Sequence, residues 1–377
     1  MINGDRIKQA REMRGMTQTE LAERIQISRN ALTHYEVGRY EPSEAVLDAI
    51  ALQTGFPPAF FHQESSIDFP FGSLLFRARA SITNKEKLKV HRYGQILFEM
   101  MYTLTQKFKD IPLRLPRQRI DPQTAAIMAR SELGLSPDRP IENVIHAAER
   151  GGIRVLAMPE HIAGIDAYSV WAGFDEKRPA IIISVQVPGD RLRFSAAHEL
   201  GHLVMHQWIN GNLETLESEA NKFAAEFLMP AVSMQEELEP PVTLQTLKSL
   251  KEKWGVSIQA LIRRAYDLEA ISERQYRYLC SQVGKLGMRV EEPIVIPVEK
   301  PRALRQMAEK LYGNPIDYQK MANHLSLPLP LVKQFLEAHA EKISNVPNKS
   351  ETGSPPPKIQ ENNIVQFSTR SKSSHSK

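Results

Sequence analysis

A chain of 377 residues, 42% of them apolar, is too long for one small core and points to two or three domains. A single cysteine, Cys280, excludes internal disulfides and fits a reducing cytosol, while a net charge of +4 is too mild to speak for itself, so its distribution matters more. No apolar run reaches membrane-spanning length, and the charged opening (Asp5, Arg6, Lys8, Arg11, Glu12, Arg14) does not read as a signal peptide, so a cytoplasmic protein with no membrane partner is expected.

Residues 1–64 read as five short helices. Arg6, Ile7, Ala10 and Met13 begin the first, and Gly15 breaks it. Thr17 caps the second, with Glu20 three residues on, the pattern of a capping box. After the turn Gln26-Ile27, Ser28 caps the third, which Gly38 ends. Leu21, Ala22, Ile25, Ile27, Leu32 and Tyr35 then share one core, which is helix-turn-helix geometry with its third helix free to enter a major groove. The stretch from Met16 to Ser43, MTQTELAERIQISRNALTHYEVGRYEPS, resembles the XRE/Cro repressor family. That resemblance implies base reading by Arg29, Asn30, Thr33 and His34 and a phosphate contact at Gln18, with Arg39 a further one. The candidate DNA-binding set is Gln18, Ser28, Arg29, Asn30, Thr33, His34 and Arg39. Seven Lys/Arg against nine Asp/Glu give this region a net −2, so it lacks a basic footprint and dimerisation or protein docking is the competing role.

Residues 65–118 change character: ten Lys/Arg face four Asp/Glu, a net +6. Arg77, Arg79, Lys85, Lys87, Lys89 and Arg92 carry most of it, ahead of an amphipathic helix over 93–108. This basic helical connector either adds phosphate contacts that the first domain lacks or is simply a solvated helix face.

Helices follow over 124–133 and 141–150, the latter closed by Gly151-Gly152. Segments 153–158, 167–171 and 180–185 read as strands, and one edge of that sheet is suited to holding an extended peptide. Next comes His198-Glu199-Leu200-Gly201-His202, which fits H-E-x-x-H. Residues four apart share one helix face, so His198 and His202 can aim at one point that suits Zn²⁺, with Glu199 beside it to take a proton from a water activated there. Phe194, Ala197, Leu200, Leu203 and Val204 are apolar at helical spacing, which buries the helix with its histidines at a cleft. The residue that would supply a third histidine in one zincin pattern is Trp208, so the third ligand is sought downstream. There Ala220, Phe223, Ala224, Phe227 and Leu228 form an apolar stripe ended by Pro230. Glu219 lies at the edge of that stripe and is preferred as the ligand over Glu226, while Glu217, about 200° away, is expected to face solvent.

The run RFSAAHELGHLVMH from Arg193, followed by EANKFAAEFLMP from Glu219, closely resembles the ImmA/IrrE family of zinc metallopeptidases. Those are zincin-like enzymes that cut helix-turn-helix repressors, and the resemblance is strong over 120–230. It implies metal ligands at His198, His202 and Glu219, a catalytic Glu199, and a supporting role for His206. Tyr168 and His206 are the candidates for an oxyanion-stabilising donor.

Beyond Pro230, helices over 244–254 and 258–268 are expected, with Arg263 and Arg264 facing substrate or, more simply, solvent. Segments 318–325 and 331–338 flank the turn Ser326-Leu327-Pro328, either a second helix-turn-helix or a plain helical hairpin. The end of the chain is rich in Ser, Pro, Asn and Lys with few apolar residues and reads as disordered. The expected architecture is multidomain: an all-α helix-turn-helix domain (1–64), the basic connector (65–118), an α+β zincin-like peptidase domain (119–293), a helical C-terminal region (294–344) and a disordered tail (345–377). The expected function is a DNA-binding, zinc-dependent endopeptidase and transcription regulator. Its partners are DNA, through 1–64, and a protein substrate that is itself a helix-turn-helix repressor, with a homodimer as one candidate assembly. The competing reading is a regulator or toxin–antitoxin-type interaction protein whose metal domain senses and does not cleave.

Overall fold

Local capping fixes the N-terminal helices in the computed structural model, which describes residues 1–64, 67–74, 82–116, 120–160, 164–173, 177–206 and 212–340. The tail at 345–377, Arg77, Arg79 and Trp208 lie outside the described residues. Helices α1 (Gly4–Met13), α2 (Gln18–Arg24), α3 (Arg29–Glu36) and α4 (Glu44–Thr54) are followed by a 3-10 turn, Pro58–His62. Thr17 and Glu20 form the reciprocal capping box, and the Ser28 hydroxyl accepts from the Ala31 amide at 3.1 Å. Ile7, Leu21, Leu32 and Ile50 are fully buried between these helices, and the Arg11 guanidinium holds the buried Glu36 carboxylate through two hydrogen bonds.

The described basic stretch of the connector is one helix, exposed or half-buried over its first turns and largely buried beyond them. It forms α5 (Asn84–Thr105), whose side chains from Val90 through Leu104 are largely buried. This helix packs on α1, and ion pairs join the two regions: Arg6–Glu99 at 2.6 Å, Arg92–Glu12 at 2.7 Å and Lys85–Glu20 at 3.1 Å. Lys89 pairs with Glu160 at 2.7 Å. Two of the lysines expected to reach phosphates are therefore already neutralised within the fold.

After α6 (Pro122–Glu132) and α7 (Val144–Arg150), three strands form one sheet: β1 (Arg154–Met158), β2 (Ala167–Ala172) and β3 (Arg178–Ser184). The order is β1-β3-β2, with β1 parallel and β2 antiparallel to the central β3. Successive strand residues point to opposite faces, and here both faces are buried. Leu156, Met158, Tyr168, Val170 and Ile182 enter the core shared with α1–α5, whereas Val155, Ala157, Ala167, Ile181 and Ile183 enter a second core. That second core is built by α8 (Gly189–Met205), α9 (Leu213–Leu228), α10 (Ala231–Glu237), α11 (Leu244–Trp254), α12 (Ile258–Asp267) and α13 (Glu273–Lys285). The last helices, α14 (Ala303–Tyr312), α15 (Tyr318–Leu325) and α16 (Leu329–Glu337), return to the first core, where Met307, Met321, Val332 and Phe335 are fully buried. A helical N-terminal module, a small mixed sheet flanked by helices and a helical C-terminal region agree with the expected fold class. No described helix is long and apolar enough to cross a membrane.

Two contacts yield measurable expectations. Gly94 of α5 lies against β2 so closely that a Cβ would sit 1.9 Å from the Tyr168 hydroxyl oxygen. Gly94→Ala should therefore lower stability by roughly 1–3 kcal/mol, and Tyr168→Phe in the same chain should restore part of it, both read from urea midpoints. His339 is buried, donates from Nδ1 to the Phe335 carbonyl at 2.7 Å and accepts at Nε2 from the Ala157 amide at 3.3 Å, so it is held neutral. Burial pushes its pKa down from 6.5 to about 4. The unfolded chain takes up this proton first, so the contribution is complete above pH 6.5 and fades as pH falls towards 4, by up to roughly 3 kcal/mol. Replacement by an apolar residue, His339→Leu, should flatten the pH dependence of the urea midpoint in that window.

Candidate metal centre and nucleic-acid interface

The α8 helix presents two imidazoles and one carboxylate from consecutive turns. Its apolar positions Leu192, Ala196, Ala197, Leu200 and Leu203 are buried, and Gly201 lets Phe223 of α9 approach to where a Cβ would stand 3.0 Å from its ring. That close approach brings the edge of α9 onto the histidines. His198 Nε2 and His202 Nε2 are 3.0 Å apart, and Glu217 oxygens lie 3.5 Å from the first and 3.2 Å from the second. Ligands around a tetrahedral cation at about 2.0–2.1 Å stand about 3.3 Å from one another. Two imidazole nitrogens and a carboxylate oxygen at these separations fit a divalent cation in both chemistry and size, and His198, His202 and Glu217 form the one such group among the described residues.

The structure departs here from the expectation for the second helix. Glu217, expected to face solvent, is the carboxylate brought to the histidines, and Glu219 is not. Both flank the apolar stripe of α9, on opposite edges. Asn221, one turn beyond Glu217 on the same edge, has its side-chain oxygen 2.8 Å from His198 Nδ1, so that edge is the one facing α8. Glu219 meets His206 instead, at 2.9 Å from Nε2, and His206 Nδ1 is 2.9 Å from His202 Nδ1. With Glu219 accepting from His206 and His206 accepting from His202, the His202 Nε2 lone pair is left facing His198 and Glu217. Asn221 has the same effect on His198. Glu226 is excluded from the site: it is buried, ion-paired with Arg264, and accepts from the Ala231 amide at 3.0 Å. Arg264 is likewise buried, with its guanidinium on Glu226 and on the Met229 carbonyl at 3.0 Å.

Glu199 is fully buried, and its Oε2 accepts from the Ser169 hydroxyl at 2.6 Å and the Ser73 hydroxyl at 2.8 Å. Burial pushes the His206 pKa down, against the pull of Glu219. Tyr168 leaves the list of oxyanion donors. It points to the other face of the sheet, where its hydroxyl lies 3.3 Å from the Val90 carbonyl and burial drives its pKa up. Asn221 and Ser73 were missed by sequence reasoning. Asn221 was legible as the i+4 neighbour of Glu217, but nothing local marks Ser73, 126 residues away from Glu199 along the chain.

On the N-terminal module, Ser28, Arg29, Asn30 and Arg39 are exposed, and Thr33 and His34 half-buried. Gln18 is tied inward: its amide donates to Glu36 at 2.8 Å and its oxygen accepts from Thr33 at 3.3 Å. Thr33 also donates to the Arg29 carbonyl at 3.0 Å. Ser28 caps α3, which gives it a structural duty. The exposed Tyr40, absent from the sequence-based set, packs edge-on to His34 and lies 6.0 Å beneath Arg39, so these three residues form one surface cluster at the end of α3.

Residues 148–266 match a family model described as the IrrE N-terminal-like domain, and residues 7–61 match a helix-turn-helix family model. No curated protein matches the chain. Among solved structures, one similarity is to Bacillus thuringiensis PlcR in complex with the peptide PapR7 and DNA, at 14% identity over 89% of this chain and 91% of that chain, with a TM-score of 0.15. A TM-score that low supports no structural comparison. The matched segments coincide with the exposed α3 face and with the H-E-x-x-H helix, so the chain is similar to a helix-turn-helix module over 7–61 and to an IrrE N-terminal-like domain over 148–266.

Proposed function

We propose that the chain is a DNA-binding, Zn²⁺-dependent endopeptidase whose substrate is a helix-turn-helix repressor. The observation that carries the reading is the convergence on one point of Glu217 with His198 and His202, which share a helix with Glu199, within a chain that also matches a helix-turn-helix model. His198, His202 and Glu217 would hold the cation, which when bound lowers the pKa of a water and polarises a carbonyl. Asn221 and the Glu219–His206 pair orient the imidazoles. Glu199 takes the proton of the attacking water and passes it to the leaving amine nitrogen. With its ring nitrogens engaged by Glu219 and His202, His206 has no N–H left for an oxyanion, so neither residue first considered supplies that donor. The module at 1–64 would hold the chain on DNA through Arg29, Asn30, Thr33 and His34, with Arg39 at a phosphate. A cytoplasmic location fits that partner. The second reading, a regulator whose metal domain senses without cutting, is favoured by the complete burial of Glu199.

Metal binding and cleavage separate these readings. The purified chain should take up about one Zn²⁺, lose it in His202→Ala and Glu217→Ala, and bind it roughly 10–100-fold more weakly in Glu219→Ala and Asn221→Ala, as chelator competition would show. Full loss in Glu219→Ala with retention in Glu217→Ala would restore the sequence-based ligand. Incubation of the zinc-loaded chain with helix-turn-helix repressors should give cuts, seen by mass spectrometry, that Glu199→Gln abolishes while keeping its metal. Zinc binding without any cut would favour the sensor.

For DNA, Asn30→Ala should relax sequence preference by about 1–3 kcal/mol at one base pair, measured by mobility shift against single-base operator variants. Uniform weakening across all variants would assign Asn30 to the backbone instead.

A further inference from the structure

The outer edge of β2 is already taken. Residues 67–74 run antiparallel along it: the Gly173 amide donates to the Asp68 carbonyl at 3.1 Å, and the Ser73 amide donates to the Ser169 carbonyl at 2.9 Å. The Ser169 amide in turn donates to the Ser73 hydroxyl oxygen at 2.8 Å. The Ser169 carbonyl is thus satisfied as an added strand would satisfy it, and its amide by a side-chain hydroxyl in place of a carbonyl. The same Ser73 hydroxyl donates to Glu199, so one residue fills both the sheet edge and the carboxylate.

The segment is anchored apart from these contacts. Phe71 stacks on His91 of α5 with ring centroids 4.0 Å apart, and the Phe69 carbonyl lies 2.9 Å from His91 Nε2. Asp68 forms an ion pair with Lys177. Gly72 adopts φ +57°, and a Cβ there would lie 2.2 Å from the Ser169 carbonyl oxygen, so only glycine lets the backbone come this near. What reaches Glu199 is a side-chain hydroxyl and not a peptide carbonyl. The segment is therefore seated as an occupant and not as a substrate.

We propose that the outer edge of β2 is the peptide-binding edge of this domain, which takes an extended segment by main-chain pairing, and that residues 67–74 are its built-in occupant, holding Glu199 closed until displaced. The proposal rests on the peptidase reading of the same site. Displacement exposes the Ser169 and Gly173 main-chain groups to an incoming chain and removes one of the two hydroxyls on Glu199 Oε2. Arrival of a peptide and release of the base are then one event.

Amide exchange on the full-length, zinc-loaded chain tests this without turnover. Peptides covering 67–74 and 167–173 should exchange slowly in the wild type and about tenfold faster in Gly72→Val and in Phe71→Ala, which leaves β2 itself untouched. A labelled octapeptide with the sequence of 67–74 should bind both variants about tenfold more tightly than the wild type and restore protection over 167–173. Fast exchange already in the wild type, slow exchange retained in both variants, or a freed edge that takes no peptide would each overturn the proposal. Cutting is scored separately, on helix-turn-helix repressors: an edge that takes the octapeptide while no repressor is cut would sink the peptidase reading and leave the binding edge standing.

Discussion

A three-stranded sheet with neither face left to water governs the arrangement of this chain. Ile181 and Ile183 of the central strand enter one core and Ile182 the other, and each core needs helices to cover it. On one side those helices are α5 and the C-terminal α14–α16, and the N-terminal module reaches the sheet through α5. On the other side lie α7, α8 and α9. The metal-type site and the DNA-type module therefore sit on opposite faces of one wall, and the open edge of that wall, β2, is where residues of the connector meet Glu199.

Burying the site helix brings charges inside with it, and partners from distant segments neutralise them. Arg193 of α8 pairs with Glu299, and Asp190 with Lys251, which also reaches Glu292 at 2.8 Å. Breaking one side of such a pair strands an uncompensated charge and is strongly destabilising. The rotational setting of α8, and with it the aim of His198 and His202, is thus fixed by residues drawn from α11 and from the segment after α13. The histidines themselves need not bear that duty.

Features whose cause is local could be read from the sequence. Thr17, Glu20 and Ser28 cap helices wherever those helices pack, and the spacing of His198 and His202 puts them on one face by helix geometry alone. Features decided by a partner element could not. The stripe of α9 has two polar edges, and only the way it lies on α8 brings Glu217 to His198 and His202 and Glu219 to His206. Tyr168 belongs to a strand buried on both sides, where alternation leaves no polar face to orient it. Arg264 reads as facing substrate or solvent and Glu226 as a second-choice ligand because their pairing is invisible along the chain. The connector misled through its first turns, where Lys85 and Lys89 are charged but already engaged with Glu20 and Glu160.

The seated segment is covalently tethered at both ends, to the 3-10 turn on one side and to α5 on the other. A short tether presents such a segment at an effective concentration on the order of millimolar, whatever the dilution of the protein. Under the proposed function, a free peptide would have to outcompete that standing concentration, so weakly binding peptides would leave the edge closed and general proteolysis would be suppressed without a separate inhibitor. A target held on the same stretch of DNA would escape this filter, because it too would be presented at raised local concentration. Selectivity in such an arrangement comes from co-localisation more than from the residues around the cut.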